Sequence, residues 1–268
     1  MAGQRILIAG FGNMARAMLD GWLAAGLAAE DFAIYNPRPK AVPDGVALTT
    51  AIPADAPDVL ILGFKPQVLD DSTSGFEPLA GPDTTVVSIL AGVELESLAR
   101  RFPRAGAIVR FMPSLAVAIG KSPNLLVARG LEATGRERIT ALAEALGSAE
   151  WLADESRFEL AAALAGSGPA FVYRFVAALA QGAAALGLEP AQAERLALRM
   201  AEGAAALAAA SPQTPDELAR RVASPGGMTQ KGLDVFDADG ALARLVADCL
   251  RAARDRGLEI AAAARDEG

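Results

Sequence analysis

The chain is expected to fold as two domains of different class: an α/β Rossmann-type N-terminal domain over residues 1–153, followed by an all-α C-terminal domain over residues 154–268. Three observations predict this. Short apolar runs alternate with helical patterns through the first part, the signature of a parallel sheet covered by helices. The first of these runs, Ile6-Leu7-Ile8-Ala9, flows into Gly10-Phe11-Gly12-Asn13-Met14-Ala15, a Gly-x-Gly-x-x-Ala turn that opens a helix. After Asp154 the strand signals vanish and Ala-rich helical patterns take over.

Each small residue of the turn has a physical task. Gly10 allows a tight turn, Gly12 lets backbone N–H groups approach a pyrophosphate, and Ala15 lets the helix pack closely on the strand. Ala9, Gly10, Phe11, Gly12, Asn13 and Met14 are therefore candidate dinucleotide contacts. Residues 13–27 read as the helix, ending near Gly26. A second strand at 32–35 ends in Asn36-Pro37-Arg38-Pro39-Lys40. An NAD site usually places an acid there to hold the ribose 2′-hydroxyl. Asn36, Arg38 and Lys40 stand there instead, and a 2′-phosphate favours Arg, so NADPH is expected over NADH as the cofactor. A solvated basic turn is the alternative reading of the same residues.

Residues 59–64 form a third apolar run, and Gly63, Phe64, Lys65 and Pro66 stand at its end, where ligands of open parallel sheets bind. From position alone, Lys65 reads nearly as well as a solvated loop lysine. A fourth strand at 85–89 leads to Leu90-Ala91-Gly92, where Ala91 leaves room for a nicotinamide ribose. Further strands are expected at 107–111, 124–128 and 149–152, with a helix over 136–146.

In the second half, helices are expected over 155–165, from Pro169 towards Gly187 with Ser167 as a cap, over 190–210, after Thr214-Pro215, and over 241–264. Ser224-Pro225-Gly226-Gly227-Met228-Thr229 interrupts them with hydroxyls, glycines and free N–H groups. Such a stretch suits a small carboxylate, although an ordinary helix–helix turn has the same composition.

Composition removes several functions. A net charge of −7 argues against nucleic acid or an anionic membrane as the main partner. The chain has no His, which excludes a His general base, a Ser-His-Asp triad and the commonest metal ligand, so no metal site is expected. The lone cysteine, Cys249, cannot form an internal disulfide; it reads as a buried core thiol and fits a cytoplasmic protein. No signal peptide is expected, and Arg174 ends the apolar stretch from Leu160 before a membrane span is reached.

The whole chain resembles the pyrroline-5-carboxylate reductase family. The matching stretches, in the family's order, are the 10–15 turn, Phe64-Lys65-Pro66-Gln67, Ser88-Ile89-Leu90-Ala91-Gly92-Val93, Val109-Arg110-Phe111-Met112-Pro113, Gly166-Ser167-Gly168-Pro169-Ala170-Phe171 and Ser224-Pro225-Gly226-Gly227. The resemblance implies reduction of the cyclic imino acid 1-pyrroline-5-carboxylate to L-proline by NADPH. It also implies a helical dimerisation and substrate domain, and a homodimer that often assembles further. By resemblance, Ser224, Gly226, Gly227 and Met228 hold the substrate carboxylate, and Thr229, the candidate catalytic hydroxyl, lies near the imine nitrogen. The chain departs from the family at Ser114-Leu115-Ala116, where Asn-Thr-Pro is usual, and at Met228, where a threonine is usual. Two other readings stand beside this one. A β-hydroxyacid dehydrogenase shares the two-domain plan but needs a Lys that residues 166–187 lack. A non-catalytic NADP-binding regulatory protein fits the departures.

Overall fold

The apolar runs of the N-terminal part assemble into one eight-stranded sheet in the computed structural model, which describes residues 3–266. Its strands are β1 (Ile6–Ala9), β2 (Phe32–Tyr35), β3 (Ala47–Thr49), β4 (Val59–Leu62), β5 (Thr85–Ser88), β6 (Ala107–Met112), β7 (Ser122–Arg129) and β8 (Gly147–Trp151), in the spatial order β3-β2-β1-β4-β5-β6-β7-β8. Neighbours from β3 across to β6 run parallel, β6 and β7 antiparallel, and β7 and β8 parallel. Every residue of β1, β4 and β5 is buried, as strands covered on both faces require. Ile6 pairs with Phe32 on one side and Val59 on the other. The chain therefore leaves β1 in one direction for β2 and returns on its other side as β4. The crevice at the carboxyl ends of β1 and β4 is the topological switch point.

Helices α1 (Asn13–Ala24), α2 (Leu69–Phe76), α3 (Leu95–Arg101), α4 (Ala133–Glu144) and α5 (Phe158–Ala165) complete this part. Two apolar layers result. One joins Ile8, Leu19, Trp22 and Phe32, with the Trp22 and Phe32 rings stacked at 5.4 Å and Trp22 Nε1 donating to the Leu142 carbonyl at 2.8 Å. The other joins Leu7, Leu60, Phe76, Phe102 and Phe158.

The remaining helices are α6 (Gly168–Ala185), α7 (Pro190–Ala210), α8 (Pro215–Val222), α9 (Met228–Asp237) and α10 (Ala241–Asp266). The chain divides into two compact units. One runs to Gly166 and resumes at Ala253; the other is Ser167–Ala252. In the second unit α7 packs on α6 through buried Ala180, Ala193 and Ala197. These small side chains let the helices approach closely but bury little surface. Large apolar groups stay exposed, among them Tyr173, Leu186, Leu198, Leu207 and Val222.

Several expectations are corrected. Where a division was expected at 153/154, the compact units divide at 166/167, because Phe158 on α5 is buried in the core beneath the sheet, and the end of the chain from Ala253, expected in the helical domain, belongs to the first unit. β3 was not foreseen; it is a three-residue edge strand with no buried residue, so it lacks an apolar signal. β7 spans eight residues instead of the expected five, and α4 starts at Ala133 instead of 136. Ser167 stands at the N-cap of α6, but its side chain caps no N–H. Cys249 is exposed and not a core thiol, since Leu245 and Val246 beside it on α10 are exposed too. Arg174 does not shorten the apolar helical run as expected: among the described residues, Glu155–Ala185 is long and apolar enough by length and composition to cross a membrane, although α5 and α6 are broken at Gly166. A single charge is tolerated in such a run when its flanks are this rich in Ala, Val and Phe.

Candidate cofactor and substrate sites

The glycine turn sits at the switch point. Gly10 has φ +91°, and a Cβ there would lie 2.7 Å from the Phe64 backbone nitrogen, so only glycine fits. Its N–H donates to the Tyr35 carbonyl at 2.8 Å. A Cβ on Gly63 would lie 2.8 Å from the Gly10 carbonyl oxygen and 3.2 Å from the Ala15 Cβ. Gly10, Gly63 and Ala15 thus allow β1, β4 and α1 to meet. Gly12 is the N-cap of α1 and no side chain caps the helix. Its first intrahelical bond runs from Arg16 N–H to the Gly12 carbonyl at 2.9 Å. The N–H groups of Gly12, Asn13 and Met14 have no partner among the described residues. A Cβ on Gly12 would meet only the Gly63 carbonyl oxygen, at 3.7 Å, so the space in front of these donors is open. Open donors at a helix N-terminus, in front of glycine, fit a pyrophosphate.

The residues after β2 divide into two roles. Asn36 is buried; its Oδ1 accepts from Phe11 N–H at 3.2 Å and its Nδ2 donates to the Arg38 carbonyl at 2.6 Å. Lys40 Nζ donates to the Phe11 carbonyl. The N–H and the carbonyl of Phe11, on successive peptide groups, are therefore both held from the β2 loop. Arg16, at the start of α1, reaches the Ala41 carbonyl at 3.2 Å and ties the same loop to the helix. Arg38 is exposed, and its guanidinium forms no hydrogen bond or ion pair with any described residue; only its carbonyl is used, by Asn36. Of the basic groups expected to meet a 2′-phosphate, Arg38 is the one left available.

The other cofactor candidates line the same edge. Ala9 ends β1 and is buried; Phe11 is buried. Phe64 stacks on Phe76 at 6.2 Å, and Phe76 meets Tyr35 edge-on at 5.2 Å, which fixes the end of β4. Lys65 is exposed and its ammonium has no described partner, and Pro66 opens a short 3-10 turn. Ala91 is exposed beyond β5. Ser114 is buried: its backbone N–H donates to Ser122 Oγ at 2.9 Å, and its Oγ accepts from Ala116 N–H at 3.3 Å. It caps the turn that follows β6, so this departure from the family has a structural use.

The candidate substrate residues belong to the second unit. Ser224, Gly226, Met228 and Thr229 are exposed and Gly227 is half-buried. Gly226 has φ +71°, a conformation that favours glycine. Gly227 N–H donates to the Ser224 carbonyl at 2.9 Å, and a Cβ on Gly227 would lie 2.4 Å from Ser224 Oγ. Gly227 is the N-cap of α9 and supplies no side chain. Met228 and Thr229 are thus helical residues and not loop residues as expected. Their N–H groups and that of Gln230 have no described partner, and Ser224 Oγ lies against Gly227, the N-cap that precedes them. This arrangement can receive a carboxylate: three orphan donors, a hydroxyl and the positive end of a ten-residue helix. No group of three or more metal-ligating side chains occurs among the described residues.

A family model described as pyrroline-5-carboxylate reductase dimerisation matches residues 155–260, and one described as NADP oxidoreductase coenzyme F420-dependent matches residues 5–92. Pyrroline-5-carboxylate reductase of Pseudomonas aeruginosa is 34% identical over 97% of this chain and 98% of its own. Pyrroline-5-carboxylate reductase 2 of Bacillus subtilis is 30% identical over 96% and 95%. The structure of a pyrroline-5-carboxylate reductase from Coxiella burnetii superimposes with TM-score 0.89 at 28% identity, over 96% of this chain and 98% of that one. The fold is shared with the Plasmodium falciparum pyrroline carboxylate reductase solved with NADP bound, at TM-score 0.82 and 21% identity over 97% of this chain and 99% of that one.

Proposed function

Because the chain belongs to the pyrroline-5-carboxylate reductase family, we propose that its two sites serve one reaction. That reaction is the reduction of 1-pyrroline-5-carboxylate to L-proline by an NADP-dependent oxidoreductase. The observation that carries the assignment is the uncapped N-terminus of α1 at the switch point, with its unpartnered N–H groups and available Arg38. Bound NADPH supplies the hydride. Gly12, Asn13 and Met14 hold its pyrophosphate through backbone N–H groups, and Arg38 holds the 2′-phosphate. Asn36 keeps the glycine turn in shape. Gly63, Phe64, Lys65, Pro66 and Ala91 border the nicotinamide half.

The chain's own contribution to catalysis is orientation. An imine nitrogen is readily protonated, and the iminium carbon then accepts hydride without a strong acid beside it. This fits a chain with no His. Met228, Thr229 and Gln230 N–H groups and Ser224 Oγ receive the carboxylate; Gly226 and Gly227 shape the turn. Met228 keeps the N–H that matters while its side chain is 93% exposed. Thr229 Oγ bonds the ring nitrogen and fixes the imine carbon for attack. We also read the protein as a cytoplasmic homodimer. The exposed apolar side chains of α6 to α8 lie in the segment that matches the dimerisation model, which supports this.

The kinetics of Thr229→Val test the site, since the change keeps shape and deletes the hydroxyl. The Thr229 O–H can donate to the ring nitrogen only as its lone pair forms on the way from iminium to amine, so kcat should fall along with any rise in KM. The loss should be partial, roughly ten- to a thousandfold in kcat/KM, because the hydride chemistry belongs to the cofactor. Met228→Thr should leave activity intact. A Thr229→Val protein turning over at the parent rate, with unchanged stability and NADPH affinity, would reduce the loop to a carboxylate cradle.

A further inference from the structure

Arg110 on β6 is only 2% exposed. Its Nη1 donates to Glu155 Oε1 at 2.7 Å, its Nη2 to Glu159 Oε1 at 2.9 Å, and its guanidinium carbon lies 3.8 Å from the centre of the Phe158 ring. Burying such a cluster carries a desolvation penalty that apolar packing avoids, so core stability alone does not account for it. Each carboxylate has a second contact. Glu155 Oε1 also accepts the N–H of Leu95, the first residue of α3, at 2.9 Å. Glu159 lies against Gly257 of α10, where a Cβ would come within 2.7 Å of Glu159 Oε2.

One turn further along α10, Ala261 is 1% exposed. There the helix backbone rests on Gly92, whose φ is +75°. A Cβ on Gly92 would lie 2.6 Å from Ile260 Cγ2 and 3.4 Å from the Ala261 nitrogen. Arg265 pairs with Glu94 at 3.6 Å. The turn between β5 and α3 is thus held by α10 beneath Gly92, by Arg265 at Glu94 and by Glu155 at Leu95. The same turn presents exposed Ala91 at the carboxyl end of β5.

We propose that the last turns of α10 and the Arg110–Glu155–Glu159 cluster form a clamp that positions the β5–α3 turn and thereby sets cofactor affinity. This rests on the reading of Ala91 as a cofactor contact. Glu155, Glu159, Arg110 and Gly257 touch no reacting atom; they are positioning residues. Gly257 and Ala261, four residues apart, present the flat face that lets α10 reach Glu159 and Gly92 together.

The test uses the full chain with three changes. Gly257→Leu drives a side chain into Glu159, Glu155→Ala removes the acceptor for Leu95 N–H, and Glu155→Gln keeps an acceptor there. NADPH affinity is read by fluorescence, and amide hydrogen exchange is followed over residues 89–95 and over the 10–15 turn. For Gly257→Leu and Glu155→Ala we expect NADPH Kd to rise about tenfold, and exchange to rise at 89–95 but not at 10–15. Glu155→Gln should recover most of both. Raised exchange with unchanged NADPH affinity overturns the proposal alone, as do variants that match the parent in both readouts. A uniform rise in exchange across the sheet, with a lower melting temperature, makes the cluster a packing element and also overturns it. A parent protein that binds no NADPH removes the cofactor reading and the clamp's role with it.

Discussion

Asn36, Arg38 and Lys40 stand close in sequence and do different work. Asn36 and Lys40 hold the N–H and the carbonyl of Phe11, while Arg38 keeps its guanidinium for a ligand. Substitutions should separate these roles. Arg38→Ala should weaken NADPH binding by about 1–3 kcal/mol, the range for a lost hydrogen bond to a charged group, and leave NADH nearly unchanged. Lys40→Met should weaken both cofactors alike, because it loosens the turn that holds their common pyrophosphate. Titrating each variant with both cofactors checks this; equal losses of NADPH and NADH in Arg38→Ala would contradict the assignment. The tasks of Gly10, Gly12 and Ala15 were legible in the sequence because each follows from a missing or minimal side chain. The clamp on Phe11 was not. It depends on which way an amide and an ammonium turn across 25 and 29 residues of chain, and no local pattern records that.

At the scale of elements, β1, β2, β4, β5 and β6 were legible because fully or largely buried parallel strands must be continuous apolar runs. β3, α2 and α3 were not: the first is an edge strand, and the others are helices of eight and seven residues with few buried positions. The start of α8 was legible from Thr214-Pro215 with acids behind it. The structure makes it a reciprocal capping box, in which Thr214 Oγ accepts from Glu217 N–H and the Glu217 carboxylate accepts from Thr214 N–H at 2.8 Å. That backbone bond, then the Thr214 hydroxyl, holds the Glu217 carboxyl below its ordinary value of 4.5. A depressed carboxyl stabilises the fold above its unfolded value, and the contribution is lost as pH falls through the lower folded value. Thr214→Ala, which removes the cap, should lower stability near neutral pH. Melting curves of parent and Glu217→Gln should differ at pH 7 and converge in acid. A difference that persists unchanged once acid has protonated the carboxylates would contradict the box.

At the scale of the molecule, composition foretold an apolar helical half but not how thin its own core is. Within Ser167–Ala252 the buried side chains are three alanines, Ala180, Ala193 and Ala197, while Leu186 is 92% exposed. A single chain gains little from this packing, and large exposed apolar patches mark interaction surfaces. Sedimentation at micromolar concentration should show at least two chains per particle, and a monomer that still turns over would contradict the dimer. The first boundary between units lies about a dozen residues past the expected one, because the Ala-rich texture begins at α5 while Phe158 ties α5 to the sheet; the return to the first unit at Ala253, inside the continuous helix α10, left no mark in the sequence. The central claim is that this chain reduces a cyclic imine at the expense of NADPH. It is tested most directly by following NADPH oxidation with 1-pyrroline-5-carboxylate and assaying proline in the same sample. One proline should form for each NADPH consumed, with NADH a poorer donor. A folded protein that binds NADPH yet forms no proline from the imine would contradict it.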